Sequence, residues 1–387
     1  MAGIKETLLS TVRNGKLILS DIAATRRNAN DITVEKGRVQ ATIDQLHPKR
    51  LSLVVESVRE AAEGAKTIRL ASATGYLPPF EAGQYINVFV EIDGVRTSRP
   101  YSISSSPRQR AYYEITVARI ATGFVSDYFL DRVKPGDRLE ANGPQGVFRF
   151  NPVFHRKKSV FLAGGSGITP FLSMTREILE AGLDREIVLI YGIRNTSVAI
   201  GHAELEAFAA EYPNFRYVPV VSGEEKGWKG KTGFLNKELI AEVVGDVKDC
   251  TYYVCGPQIM NDFCLAELAA LGVPGKRIRR EMFGARQDIV NEPGWPDGIA
   301  PDRVFKVKAG DRVIEAKAGD SLLTSLEKAG LRVNVCCRSG ECSLCRVKLV
   351  SGTVFTARGA LMRFADEKFG YIHSCKSYPV SDVEIIL

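Results

Sequence analysis

Four cysteines near the C-terminus constrain this chain more than any other feature. Cys337, Cys342 and Cys345 are spaced C-x4-C-x2-C, and Cys375 follows after 29 intervening residues. Short fixed gaps place three thiols in one loop, and the fold must return the distant fourth to them. This is the spacing by which four thiolates hold two irons bridged by two sulfides. The intervening Arg338-Ser339-Gly340-Glu341 is small and flexible at Gly340, so it can wrap a cluster and aim backbone N–H groups at its sulfurs. Four thiolates also suit tetrahedral zinc, but zinc motifs usually pair two short C-x2-C knuckles, and here there is one loop plus one remote cysteine. A Rieske centre needs two histidine ligands, and only His373 lies nearby. His373 and the adjoining Cys336 are read as packing residues.

The other cysteines, Cys250, Cys255 and Cys264, are scattered, so the eight together do not read as a disulfide framework. At 387 residues the chain suits two or three domains. Its 45% apolar and 25% charged residues fit a soluble globular protein. No apolar run approaches the roughly 18 to 20 residues that span a bilayer, so the chain is expected not to be membrane-spanning. Met1 to Lys16 lacks the apolar centre of a secretory signal, and a cytoplasmic location is expected. The net charge of +7 comes from basic residues interleaved with acids, which argues against nucleic acid as a partner.

Pattern divides the chain into zones. Residues 1–46 form a polar extension, helical or mobile, with Ile4, Leu8, Leu9 and Val12 at helical spacing. Residues 47–153 alternate in short runs (Leu51–Val55, Thr67–Ala71, Tyr85–Ile92, Tyr113–Arg119, Arg138–Asn142) divided by turns such as Asp93-Gly94, which predicts an antiparallel β-barrel. Residues 154–285 alternate strands with helices, from Ser159–Ala163 and Pro170–Ala181 to Thr251–Cys255 and Ile259–Leu271, which predicts a parallel α/β sheet. Residues 286–301 are Pro/Gly-rich and read as a linker; residues 302–387 open with two β runs and a helix near Ser321–Ala329.

Within the barrel zone, Arg99-Pro100-Tyr101-Ser102 ends a strand. A guanidinium there offers a fork for a phosphate, a tyrosine can lie on an aromatic ring, and a hydroxyl can reach a ring nitrogen. Farther on, Thr122-Gly123-Phe124-Val125-Ser126 leads into a helical run, where Gly123 permits close approach and Ser126 at a helix start can seat an anion. In the α/β zone, Gly164-Gly165-Ser166-Gly167-Ile168-Thr169-Pro170 turns from strand to helix, as a pyrophosphate seat does. Cys255-Gly256-Pro257 ends a later strand, and Glu281-Met282-Phe283 ends the zone.

Together these motifs resemble the ferredoxin-NADP reductase superfamily over about 340 residues, 48 to 387. The resemblance implies that Arg99 and Ser126 contact flavin phosphates, with Gly123 and Val125 in the same turn. It implies that Tyr101 stacks on the isoalloxazine and Ser102 approaches N5. It implies that Gly164, Gly165, Gly167 and Thr169, with Cys255, Gly256 and Pro257, flank the nicotinamide, that Glu281 lies near the reaction centre, and that Phe283 lies against the flavin. Tyr101, Ser102, Cys255 and Glu281 are its candidate catalytic residues. FMN-binding members carry a Gly-Gly-Ser turn at the second flavin motif; the Thr-Gly-Phe-Val-Ser here resembles the FAD pattern. NADPH users often carry Arg directly after the serine at Ser222, where this chain has Gly223, which leans toward NADH while leaving NADPH open. The last zone resembles a plant-type ferredoxin of β-grasp fold whose cluster ligands are Cys337, Cys342, Cys345 and Cys375.

The order of parts resembles reductases of the phthalate dioxygenase and hybrid-cluster protein types. It implies a reductase that takes electrons from NAD(P)H through FAD to a [2Fe-2S] cluster and on to a partner redox protein, such as a terminal oxygenase or a hybrid-cluster protein. A self-contained reductase of a quinone or ferric chelate, or an Fe-S redox sensor, are the alternatives. Residues 301–387 hold 14 Lys/Arg against 10 Asp/Glu, a net +4. That balance suggests an acceptor with an acidic docking surface, met by Arg338 and Arg346 beside the cluster.

Overall fold

The computed structural model describes residues 11, 14–27, 29–120, 123–151, 153–282 and 289–387. The chain divides into two compact units, Met1–Lys49 and Arg50–Leu387. In the first, α1 (Gly15–Arg27) and α2 (Ala29–Leu46) are helical, and Leu17, Val39, Ile43 and Leu46 are exposed. The expected apolar stripe from Ile4 to Val12 lies outside the described residues.

The second unit opens with six antiparallel strands: β1 (Leu51–Ala62), β2 (Ala65–Ser72), β3 (Tyr85–Ile92), β4 (Val95–Ser102), β5 (Tyr112–Ala118) and, after helix α3 (Phe124–Asp131), β6 (Arg138–Gln145). Their order is β4-β3-β6-β1-β2-β5, and a bridge between Ile103 and Ile115 joins the two ends into a barrel. Alternation sends Leu53, Ile68, Ile86, Val88 and Ile115 inward, all fully buried. Asp93 and Gly94 both take positive φ (50° and 80°), so the β3–β4 hairpin turns in two residues and pairs Tyr85 with Ser102.

A parallel sheet follows: β7 (Lys158–Gly164), α4 (Thr169–Glu180), β8 (Glu186–Ile193), α5 (His202–Glu211), β9 (Phe215–Val221), β10 (Lys231–Thr232), α6 (Lys237–Val244), β11 (Cys250–Cys255), α7 (Gln258–Ala270) and β12 (Ile278–Glu281). The strand order β10-β9-β8-β7-β11-β12 reverses direction between β7 and β11. A crevice at the carboxyl ends of two such strands is where open α/β sheets bind ligands.

The last part contains β13 (Val304–Ala309), β14 (Arg312–Lys317), α8 (Leu322–Lys328), β15 (Arg346–Ser351), β16 (Val354–Thr356), α9 (Phe364–Lys368), β17 (Tyr371–His373), β18 (Ser377–Pro379) and β19 (Val383–Ile386). Five strands order as β14-β13-β19-β15-β17, with β16 and β18 as a separate pair. Leu322 and Leu326 of α8 pack on Val307, Val347 and Ile385 of the sheet, a β-grasp core. From Ile289 onward the Pro/Gly-rich stretch before it is packed. Ile289 and Trp295 join Phe355, Ala357 and Tyr378 in a satellite cluster. The multidomain fold expected from sequence, barrel then parallel α/β sheet then β-grasp, is the fold observed.

Candidate functional site

Alternation along β4 puts Thr97, Arg99 and Tyr101 on one face and Ser102 on the other. The Tyr101 ring meets Phe129 of α3 edge-on, centroids 5.4 Å apart. Arg99 donates through Nη1 to Thr97 Oγ1 and to the Ser98 carbonyl, both at 2.8 Å. Burial, and then the neighbouring Arg338 guanidinium, lower the Arg99 pKa to about 10. At the start of α3, a Cβ on Gly123 would fall 2.0 Å from Ser126 Oγ and 3.0 Å from the Ile120 carbonyl oxygen, so this approach favours glycine. Val125 is buried beside it, and Thr122 lies outside the described residues. Ser102 Oγ and Ser126 Oγ are buried without a hydrogen-bond partner. Native proteins seldom leave buried hydroxyls unpaired, so these two fit a site completed by a polar ligand.

The sheet crevice is equally tight. A Cβ on Gly167 would lie 2.3 Å from the Cys255 carbonyl oxygen, and one on Gly164 would lie 2.1 Å from Met260 Sδ. The turn Gly165–Ile168 and the Gly256-Pro257 turn therefore pack backbone to backbone. Gly165 takes φ +52°, and Thr169 starts α4 with its hydroxyl donating to the Ser166 carbonyl. N–H groups exposed at this helix start suit a pyrophosphate. In the strand ladder, Ala163 pairs with Cys255 and Cys255 with Glu281. Burial pushes both the Cys255 thiol and the Glu281 carboxyl well up, and Glu281 Oε2 has no partner. Phe283 lies outside the described residues.

The four spaced cysteines come together as two pairs. Cys337 is hydrogen-bonded with Cys342, and Cys345 with Cys375; each contact lowers the first thiol of its pair and raises the second. The N–H groups of Ser339 and Cys342 donate to Cys337 Sγ at 3.4 Å each. Two pairs of thiols, with N–H groups aimed at sulfur, fit a two-iron centre in which each iron takes two thiolates. Gly340 (φ +84°) lets the loop run against Ala360, and Leu361 N donates to the Gly340 carbonyl at 3.0 Å. His373 is fully buried with Nδ1 on the Gly340 carbonyl at 3.0 Å.

The motifs of all three domains converge. Cys336 Sγ contacts Gln145 Oε1 at 3.1 Å and Tyr85 OH at 3.6 Å, so the cysteine loop rests on the rim of the barrel. Asn87 Nδ2 donates to the Val335 carbonyl at 3.2 Å. A Cβ on Gly146 would touch Tyr85 at 3.0 Å and Glu281 Oε1 at 3.8 Å, while the charges of Glu341 and Cys337 act on Glu281. Flavin motif, sheet crevice and cysteine loop thus share one junction. Sequence reasoning missed Tyr85, Asn87, Gln145 and Thr97, which carry no motif of their own; it also missed a cavity of about 410 Å³ lined by Arg59, Ser104, Arg176 and His202.

One expectation is corrected. Arg338 does not face an acceptor: it is 5% exposed and forms a two-pronged ion pair with Glu327 of α8. A buried paired guanidinium is closed to an outside partner. Arg346 is exposed but tied to Asp366 at 2.9 Å.

Comparisons with known proteins agree with this geometry. Residues 65–150 match the oxidoreductase FAD-binding domain, residues 161–265 the oxidoreductase NAD-binding domain, and residues 305–380 the 2Fe-2S iron-sulfur cluster binding domain. The chain is 30% identical over 321 residues to the glycine betaine monooxygenase reductase subunit of Pseudomonas aeruginosa, covering 79% of this chain and 87% of that one. It is 27% identical over 335 residues to the stachydrine N-demethylase reductase subunit of Rhizobium meliloti, covering 84% and 93%. The solved structure of phthalate dioxygenase reductase superposes with a TM-score of 0.65 at 28% identity, covering 87% of this chain and 97% of that one. The chain therefore belongs to the ferredoxin-NADP reductase superfamily, among its fused FAD, NAD(P) and [2Fe-2S] reductases that pass electrons from NAD(P)H to a partner redox protein.

Proposed function

We propose that this chain is the reductase component of a terminal oxygenase system. The observation that carries the reading is the seating of the cysteine loop: its inner side rests on the flavin barrel through Cys336, while Leu344 and Leu361 beside it are exposed. When bound, FAD accepts a hydride from NAD(P)H and the cluster carries electrons singly. The chain's residues supply the surroundings. Arg99 and Ser126 hold the flavin phosphates, with Gly123 and Val125 shaping that turn. Tyr101 holds the isoalloxazine face and Ser102 offers its unpartnered hydroxyl to the ring edge. Gly164, Gly165, Gly167 and Thr169 seat the dinucleotide pyrophosphate. Cys255, Gly256, Pro257 and Glu281 bound the nicotinamide and exclude water from it. Cys337, Cys342, Cys345 and Cys375 are the cluster ligands.

With Arg338 buried against Glu327 and Arg346 paired with Asp366, the exposed cations on the cluster side include Arg358 and Arg363, which flank Leu361 in the chain. We assign the acceptor an acidic rim around an apolar centre that meets this patch. The test is reduction of a candidate oxygenase at rising ionic strength. Turnover falls with salt if the rim is acidic, because surface charges beyond a Debye length of about 10 Å at 0.1 M are screened; indifference to salt removes the acidic surface. Cys342→Ser should abolish delivery to a protein acceptor while FAD stays bound. Undiminished turnover would instead make the chain a self-contained reductase of a small acceptor.

A further inference from the structure

The barrel and the ferredoxin domain are joined by a buried charged cluster. Thr97 Oγ1 accepts from Arg99 Nη1 at 2.8 Å and from Arg338 Nη2 at 3.1 Å, and donates to Glu327 Oε2 at 3.0 Å. One hydroxyl thus uses its donor and both acceptor sites to tie two domains more than two hundred residues apart in sequence. Arg338 completes the ring through Nη1 and Nη2 on Glu327, with side chains 6% and 11% exposed. Its Nε is buried and has no partner.

The charges do not cancel. Two guanidiniums stand beside one carboxylate, and Arg338 lies close enough to lower the Arg99 pKa. The surplus positive charge, shared by buried Arg338 and partly buried Arg99, is costly until an anion joins it. We propose that this cluster is a coupling joint between flavin binding and ferredoxin-domain docking, in which a flavin phosphate at Arg99 relieves the Arg99–Arg338 repulsion and so tightens Arg338, Glu327 and Thr97 across the boundary. The proposal rests on the reading that Arg99 holds a flavin phosphate. Thr97, Glu327 and Arg338 are positioning residues: they set Arg99 on one side and the loop bearing Cys337 on the other. Linkage makes the effect reciprocal, so whatever factor flavin adds to docking, breaking the joint removes from flavin affinity.

The experiment uses the full chain stripped of flavin and titrated with FAD, following quenching of flavin fluorescence, with cluster absorption as the check on folding. Thr97→Val keeps the shape and removes the hydroxyl, and it should weaken FAD binding by about tenfold, within the usual range of coupling. Glu327→Gln breaks the joint from the other domain and serves if the first variant does not fold. Hydrogen exchange on the unmutated chain gives a reading independent of both: FAD should protect amides of 322–328 and 335–339, and Thr97→Val should erase that protection. FAD affinity unchanged in the variants, with no flavin-dependent protection in α8, would overturn the joint. Arg99→Gln separates the two ideas. If it weakens FAD binding while Thr97→Val does not, the joint fails alone; if it changes nothing, the phosphate reading of Arg99 fails first.

Discussion

Single residues show most clearly what was legible in the sequence. The four cluster thiols were, because ligand spacing is a local property: Cys337, Cys342 and Cys345 share one loop, and Cys375 enters next to them. Thr97 and Glu327 were not. Each is an ordinary strand or helix residue until the fold brings them within 3.0 Å. His155 was likewise silent, and it carries a pH dependence. It lies against Tyr253 and Phe150, and burial, with Arg279 and Arg185 nearby, lowers its pKa from 6.5 to about 4. The unfolded chain takes up this proton near 6.5 and the folded chain only near 4. The stability linked to His155 is therefore whole above pH 6.5 and declines as pH falls toward 4. Urea midpoints of wild type and His155→Gln, measured from pH 7 to 4, should converge at the acid end; parallel curves would remove His155 from the account. Gly167→Ala, whose Cβ would strike the Cys255 carbonyl, should destabilise by about 1–3 kcal/mol and raise KM for NADH, measured by denaturant melts and steady-state kinetics.

Elements with strong periodicity were read within a few residues of their ends, as with β3, β7 and α4. Those missed are short or polar. Helix α6 has eight residues and depends on a local cap, the Asn236 side chain accepting from Leu239 N at 2.9 Å. Asn236→Ala should cost about 1 kcal/mol, read as a shift in the urea midpoint. The first half of β4 was missed because Arg96, Thr97 and Ser98 break the apolar alternation; Thr97 and Ser98 are buried all the same, and Thr97 is in contact with the ferredoxin domain. Strand β12 reads Ile-Arg-Arg-Glu and, among the described strands, pairs only with β11. At the end of β9, a Cβ on Gly223 would stand 2.6 Å from the Arg194 carbonyl oxygen. A side chain at Gly223 would collide with that oxygen, so no cation can be placed at this position to meet a 2′-phosphate; kcat/KM should be about tenfold higher with NADH, a difference of about 1.4 kcal/mol. Equal values with both nucleotides would contradict this.

At the scale of the whole molecule, the domain order was legible because each domain carries its own motif. The junction was not, since Tyr85, Gln145, Glu281 and Cys336 meet only through tertiary packing. That junction carries the central claim, that one chain holds nucleotide, flavin and cluster within a single electron-transfer unit. The most direct test is anaerobic titration of the purified chain with NADH, followed by visible absorption. The account predicts flavin bands overlaid on a broad iron-sulfur absorption, both bleaching on uptake of about three electrons per chain, two by flavin and one by the cluster. A flavin spectrum alone, bleaching with two electrons while metal analysis finds zinc, would contradict it.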